Sequence, residues 1–198
     1  MVASLGMSPP FVGIAFRRGE VGNISDSIIA SATRGPFVHS EFCLGVGSDI
    51  RCYTACNSLQ PGNGGRYASS GFTPTIRLSS FPIDSDKWEC IKIPLKGGKR
   101  TYNVVYSWVL QLIALDLPYN DRDLIQCCVK AMLPFERDYD CENPSEWVGM
   151  GGVFCSHVCL LLLKRLGRHG FITPPPNIER VHSRGCSPNE LYRMLSSP

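Results

Sequence analysis

Two short segments carry the residues best able to do chemistry. Gly151-Gly152-Val153-Phe154-Cys155-Ser156-His157 runs into the apolar stretch Val158–Leu163, so Cys155 falls on the first turn of an expected helix. Unpaired backbone N–H groups and the positive end of the helix dipole favour thiolate over thiol there. A thiolate is the form that attacks carbonyl carbon, and the Cys155 N–H is placed to hold the resulting oxyanion. The same residue also reads as one more small buried side chain, which is the expected role of Cys159 one turn on. The second segment is Phe37-Val38-His39-Ser40-Glu41-Phe42-Cys43-Leu44. On a strand, His39 and Glu41 share one face and Val38, Ser40 and Phe42 the other. An imidazole beside a carboxylate suits general-base work, the carboxylate fixing the tautomer and stabilising imidazolium.

Patterning supplies elements to position these groups. Phe11–Phe16 reads as a strand. Ile24–Thr33 reads as a helix with Ser25 or Asp26 as its N-cap. Phe37–Val46 and Ile50–Cys56 read as a hairpin across Gly47-Ser48-Asp49. Gln60–Ser70 is a polar loop, Thr75–Leu78 a brief strand, and Trp88–Pro94 alternates with period two as a strand. Tyr102–Leu115 and Asp121–Met132 carry helical spacing. Cys155–Leu166 is an apolar helix closed by Lys164, Arg165 and Gly167. Pro174–Pro176 is an extended arm, and Ser187-Pro188-Asn189-Glu190 is a capping box opening a last helix to about Leu195. The sum is an α+β chain, an antiparallel sheet packed against helices, forming a single domain over residues 1–198.

Composition narrows the class. With 20 Lys plus Arg against 17 Asp plus Glu, the net charge is +3. That balance is too mild to require nucleic acid as a partner. The clusters Lys96, Lys99, Arg100 and Lys164, Arg165, Arg168 read as solvated surface. The first residues lack a secretory signal, and no apolar run spans a bilayer, so the expected location is the cytoplasm. The 10 cysteines are then expected to be free thiols packed as small hydrophobes. No CxxC pair occurs; Cys52 with Cys56, and His182 with Cys186, are the only sketch of a metal site, and no metal or cofactor is expected. His157 lies roughly 200° around the helix from Cys155 and reads as surface or packing. His169 reads as solvated, and His182 finds no evident partner except Cys186. Among Trp88, Trp108 and Trp147, Trp147 is the one whose loop leads to Cys155 and would line a cleft.

The order of a short strand, a helix ending near Arg34, the H-x-E strand, a hairpin, a Trp-bearing strand, two helices and F-C-S at a helix start resembles a known family. It is that of the circularly permuted branch of the NlpC/P60 (papain-like) cysteine hydrolases of phages, DNA viruses and bacteria. There the His-bearing strand precedes the Cys, as it does here. The resemblance spans Phe11 to Leu166 and rests on FVHSEFCL (Phe37–Leu44) and GVFCSH (Gly152–His157). It implies a permuted papain-like fold with Cys155 as nucleophile, His39 as base and Glu41 as the third member. Other branches draw the third member from the next strand, where Tyr53 and Thr54 stand. Many relatives carry Cys-Ser-Glu where this chain has Cys155-Ser156-His157. The implied activity is hydrolysis of a peptide, amide or acyl-ester bond through an acyl-enzyme. A lipid acyltransferase or thioesterase on the same Cys/His chemistry is the nearest alternative, with membrane or lipid contact. A catalytically idle binding module is the alternative of a different class. A viral source would put the protein in host cytoplasm.

Overall fold

The computed structural model describes residues 9–47, 49–56, 71–75, 87–117, 119, 127, 138–149 and 153–197, with backbone alone for 56, 71–75 and 148–149. Its strands are β1 (Pro10–Arg18), β2 (Phe37–Val46), β3 (Asp49–Cys56), β4 (Gly71–Thr75) and β5 (Trp88–Pro94). Its helices are α1 (Ile24–Thr33), α2 (Gly98–Ala114), α3 (Ser145–Gly149), α4 (Cys155–Arg168) and α5 (Pro188–Ser196). The strands form one antiparallel sheet in the order β4-β3-β2-β1-β5, so β2 lies at its centre. The α+β class read from the sequence is the observed one.

Alternation divides the sheet into two faces. Val12, Ile14 and Phe16 of β1 and Phe42 and Leu44 of β2 join Trp108, Leu112, Leu160 and Leu163 in the main core. The opposite face carries a smaller cluster of Phe11, Ala15, Cys43, Ile50 and Cys52, with Trp88 and Cys90 against it. Helix α4 runs under β2, and nearly every one of its residues is buried. A helix apolar all round belongs inside a fold, which is why its sequence has so little polarity.

Several boundaries differ from those read off the sequence. The N-cap of α1 is Asn23, whose side chain accepts from the Asp26 N–H. Asp26 is instead buried and takes both guanidinium nitrogens of Arg17. Helix α2 opens at Gly98, a turn before Tyr102. Helix α4 runs through Gly167 and stops at Gly170, whose φ of 68° is the left-handed turn that glycine adopts without strain. The bonds Gly170 N–H to Gly167 O and Phe171 N–H to Leu166 O complete a Schellman closure. The brief strand expected at Thr75–Leu78 is β4 at Gly71–Thr75, and Ile76–Leu78 lie outside the described residues. So do Gln60–Ser70 and, apart from helical Cys127, Asp121–Met132. Lys164 is not surface: its side chain is 4% exposed and bonds Asp138 at 3.0 Å.

The capping box at Ser187 forms as its sequence predicts. Just inside it, buried Asn189 ties the C-terminal helix to the sheet. Its Nδ2 donates to the Phe37 carbonyl at 2.7 Å and to Thr33 Oγ1 at 2.6 Å, while its Oδ1 accepts from the Phe37 N–H at 2.9 Å. A Cβ on Gly35 would sit 2.3 Å from that Oδ1, so only glycine fits beside it. Asn189→Ala strands both backbone groups of Phe37 in the core and is expected to cost about 2–4 kcal/mol in urea unfolding. Asn143→Ala, at an exposed amide bonded only within its own turn, is expected to lie within about 1 kcal/mol of the parent.

Candidate active site

The site forms where β2 and β3 part. Their pairing runs from Val46↔Asp49 to Phe42↔Tyr53 and then ends. Backbone N–H groups two residues apart point to the same side of a strand. The Ser40 N–H therefore aims where the Phe42 N–H does, toward β3, but beyond the last paired residue. The first turn of α4 fills that opening, and the Ser40 backbone N–H there favours the charged form of Cys155. The Ser156 N–H favours the thiolate in the same way. It is free to do so because the first backbone bond of the helix comes only at Val158, to Phe154 O.

His39 reaches the sulfur from β2. Its Nε2 lies 2.8 Å from Thr54 Oγ1 and 3.7 Å from Glu41 Oε1, and Cys155 is near enough to raise the ring's pKa. Thr54 donates its own proton to the Ala55 carbonyl at 3.3 Å, so its oxygen is free to accept from Nε2–H. Glu41 is buried within ion-pair range, beyond hydrogen-bond length. Trp88 meets the imidazole edge-on at 6.3 Å between ring centroids. The His39 side chain is 19% exposed and Cys155 2%.

Burial opposes charge on both groups, and the partners overcome it. The Cys155 thiol is held below its usual range despite desolvation, because the His39 charge, its hydrogen bond and two backbone N–H groups all favour the thiolate. His39 is pushed up to about 10 against the same desolvation by the Cys155 thiolate and by Glu41. Each group shifts the other toward its charged form, the direction that a thiolate–imidazolium pair requires. Cys159, one turn along, is pushed the other way, with burial the leading cause. It is an inert core thiol.

The structure brings Cys155, His39, Glu41 and Thr54 together, and it leaves Tyr53 out. Tyr53 belongs to the main core on the opposite face, and burial raises its phenol to about 12. His157 is fully buried against Tyr139 and Phe154, with ring centroids at 4.3 and 5.4 Å, and burial lowers it to about 3. His169 is partly exposed and pairs with Glu142 at 3.0 Å. His182 faces Asp138 at 3.6 Å. Among the described residues no group of three or more His, Cys, Asp or Glu is arranged to hold a metal ion.

Trp147 is a core residue, buried, with Nε1 donating to the Asp140 carbonyl at 2.8 Å. Trp88 is the indole beside the site. Sequence reasoning chose Trp147 by its nearness to Cys155 along the chain. The signal for Trp88 is register: β1 pairs Arg17 with both His39 and Trp88. The Ser40 N–H was also invisible, since only the end of the β2–β3 ladder frees it.

No family model, no curated protein and no solved structure matches the chain. Among the described residues no helix is long and apolar enough to cross a membrane.

Thr54→Val keeps the shape and removes the bond to Nε2. Losing one charge-assisted hydrogen bond of about 1.5–3 kcal/mol is expected to slow iodoacetamide labelling of Cys155 at mildly acid pH by roughly tenfold or more. Tyr53→Phe is expected to leave that rate unchanged. Peptide mass mapping of the labelled thiols checks both.

Proposed function

We propose that this chain is a cysteine hydrolase of the permuted NlpC/P60, papain-like kind, cleaving a peptide, amide or acyl-ester bond through an acyl-enzyme on Cys155. The observation that carries the reading is Cys155 at the start of a buried helix beside His39, each shifting the other toward its charged form. Structural thiols such as Cys159 sit in equally apolar surroundings and are held protonated. A thiol kept ionised by a dedicated imidazole has the character of a nucleophile.

The chemistry follows from the parts. Cys155 Sγ attacks the carbonyl carbon, and the oxyanion takes the N–H donors of the first turn of α4. Nε2 is committed to Thr54 and Glu41, which leaves Nδ1 as the ring nitrogen to meet the sulfur and the leaving group. The imidazolium gives its proton to the leaving amine or alcohol, producing a thioester on Cys155. The neutral ring then takes a proton from water, which attacks the thioester; the acid departs and the thiolate–imidazolium pair is restored. Thr54 and Glu41 act as positioning residues, holding the ring through Nε2 and stabilising its charge. Attack by an alcohol in place of water turns the same cycle into acyl transfer.

A second reading, a papain-like module that binds a partner without turnover, is favoured by one fact: Cys155 is 2% exposed. The two separate on acylation. Exposed to an activated acyl ester such as p-nitrophenyl acetate, the wild-type chain is expected to gain one acyl group on Cys155 in a burst. His39→Ala is expected to lose at least about a hundredfold in that rate, and Cys155→Ala to lose the burst. Equal acylation of wild type and His39→Ala, or none at Cys155, overturns the hydrolase reading in favour of the binding module.

A further inference from the structure

Among the described side chains, the face of the sheet that carries His39 and Glu41 also carries three cysteines, Cys43, Cys52 and Cys90. Cys43 and Cys52 are directly opposite each other in the β2–β3 register, with their sulfurs 3.0 Å apart. Cys90 of β5 lies on the other side of Cys43 and the two thiols shift each other's titration. The two approach each other across Gly13 of β1, where an added Cβ would lie 3.2 Å from Cys90 Sγ and 3.8 Å from Cys43 Cβ. Cys43 and Cys52 are both reduced and buried.

Register decides which pair can join. The hairpin closes Val46 on Asp49 across two residues, and the residues flanking such a turn form a hydrogen-bonded pair. Counting back along the ladder, Leu44↔Arg51 is hydrogen-bonded and Cys43↔Cys52 is not. Non-hydrogen-bonded partners have Cα atoms about 4.5 Å apart, inside the roughly 4.4–6.8 Å that a disulfide spans. Cys43 and Cys90 lie on strands separated by β1, so their backbones are about 9.5 Å apart, beyond the roughly 7 Å at which bridging fails.

We propose that Cys43 and Cys52 are a redox couple, forming a reversible cross-strand disulfide in exchange with a small-molecule disulfide. The step balances. One of the two cysteines, as thiolate, attacks the external disulfide and expels one thiol. The other then attacks the mixed disulfide and expels the second. Two protein thiols lose two protons and two electrons, and the external disulfide becomes two thiols. Burial and the Cys52 thiol raise Cys43 well above the usual thiol range, with Cys90 pulling the other way, so exchange is slow and needs opening of the strand pair. Cys43 is two residues from Glu41 and Cys52 two from Thr54, on the same face. The bond therefore staples the two strands that seat the His39 ring. The couple does not depend on Cys155 being catalytic.

The test uses full-length Cys155→Ala, which removes the activated thiol from competition. The protein is equilibrated in a series of reduced-to-oxidised glutathione ratios, acid-quenched, unfolded, alkylated with iodoacetamide and digested with trypsin. Cleavage after Arg51 separates the two cysteines, so their bridge appears as two joined peptides. The expected result is a Cys43–Cys52 bridge that forms at oxidising ratios and reverts at reducing ones. It should persist in Cys90→Ser and vanish in Cys52→Ser. The oxidised form should also show a higher urea midpoint than the reduced form, a rise absent in Cys52→Ser. Cys43 and Cys52 both alkylated at every ratio, or a dominant bridge from either one to another cysteine, overturns the proposal. Neither outcome bears on acylation of Cys155.

Discussion

Everything in the site depends on burying one helix end in the gap where two strands separate. Helix α4 is apolar nearly all round and must be covered, and the underside of β2 covers it. That packing delivers the first turn of the helix to the point where the β2–β3 ladder stops. A strand N–H with no strand to bond and a helix end with unpaired N–H groups meet there. Both need an acceptor, and an anion satisfies both. As a thiolate, Cys155 would supply that anion from within the chain, with His39 placed to balance its charge. The thiolate is thus the answer to a backbone accounting problem set by the fold, as well as a candidate nucleophile.

The two faces of β2 divide the work. Residues facing α4, Phe42 and Leu44 among them, hold the helix in place. Residues facing away, His39 and Glu41, carry the polar groups; Thr54 joins them from β3 and Trp88 from β5, across β1. The C-terminal segment braces the arrangement from outside the sheet. Asn189 pins α5 to Phe37, two residues before His39. Ser156, next to Cys155, donates its hydroxyl to the Cys186 carbonyl at 2.6 Å. Asp138, held low by hydrogen bonds from Ser183 and buried Lys164 despite its own desolvation, fastens the same segment to α4.

Much of this was legible in the sequence because it is written in periodicity. The alternation in Phe37–Leu44 put His39 and Glu41 on one face, and the unbroken apolar run after Cys155 announced a buried helix with a thiol at its start. The capping box at Ser187 was legible because it is a local device, closed within four residues. What failed to show depends on contacts distant in sequence. Lys164 looked like a solvent-facing end signal because its partner Asp138 is 26 residues away. Trp88 joins the site through strand register, which no single segment encodes, and the same register settles on Thr54 where the sequence left Tyr53 and Thr54 both open. Ser25 and Asp26 were credible caps by type, but Asp26 is claimed by Arg17 on β1, and Asn23 caps instead.

The central claim is an ionised Cys155 held by His39, and ultraviolet thiolate absorbance titrated against pH tests it most directly. A thiol whose range is lowered stays ionised as pH falls below that of ordinary thiols. An imidazolium raised to about 10 keeps its proton until the solution is distinctly alkaline, so the pair spans neutrality. Cys43, Cys90, Cys141 and Cys159 are all pushed upward and add little background there. The account predicts that near pH 6 the wild-type chain carries about one more thiolate than Cys155→Ala, and that His39→Ala abolishes the difference. A difference that appears only at alkaline pH, or one that survives in His39→Ala, would contradict it.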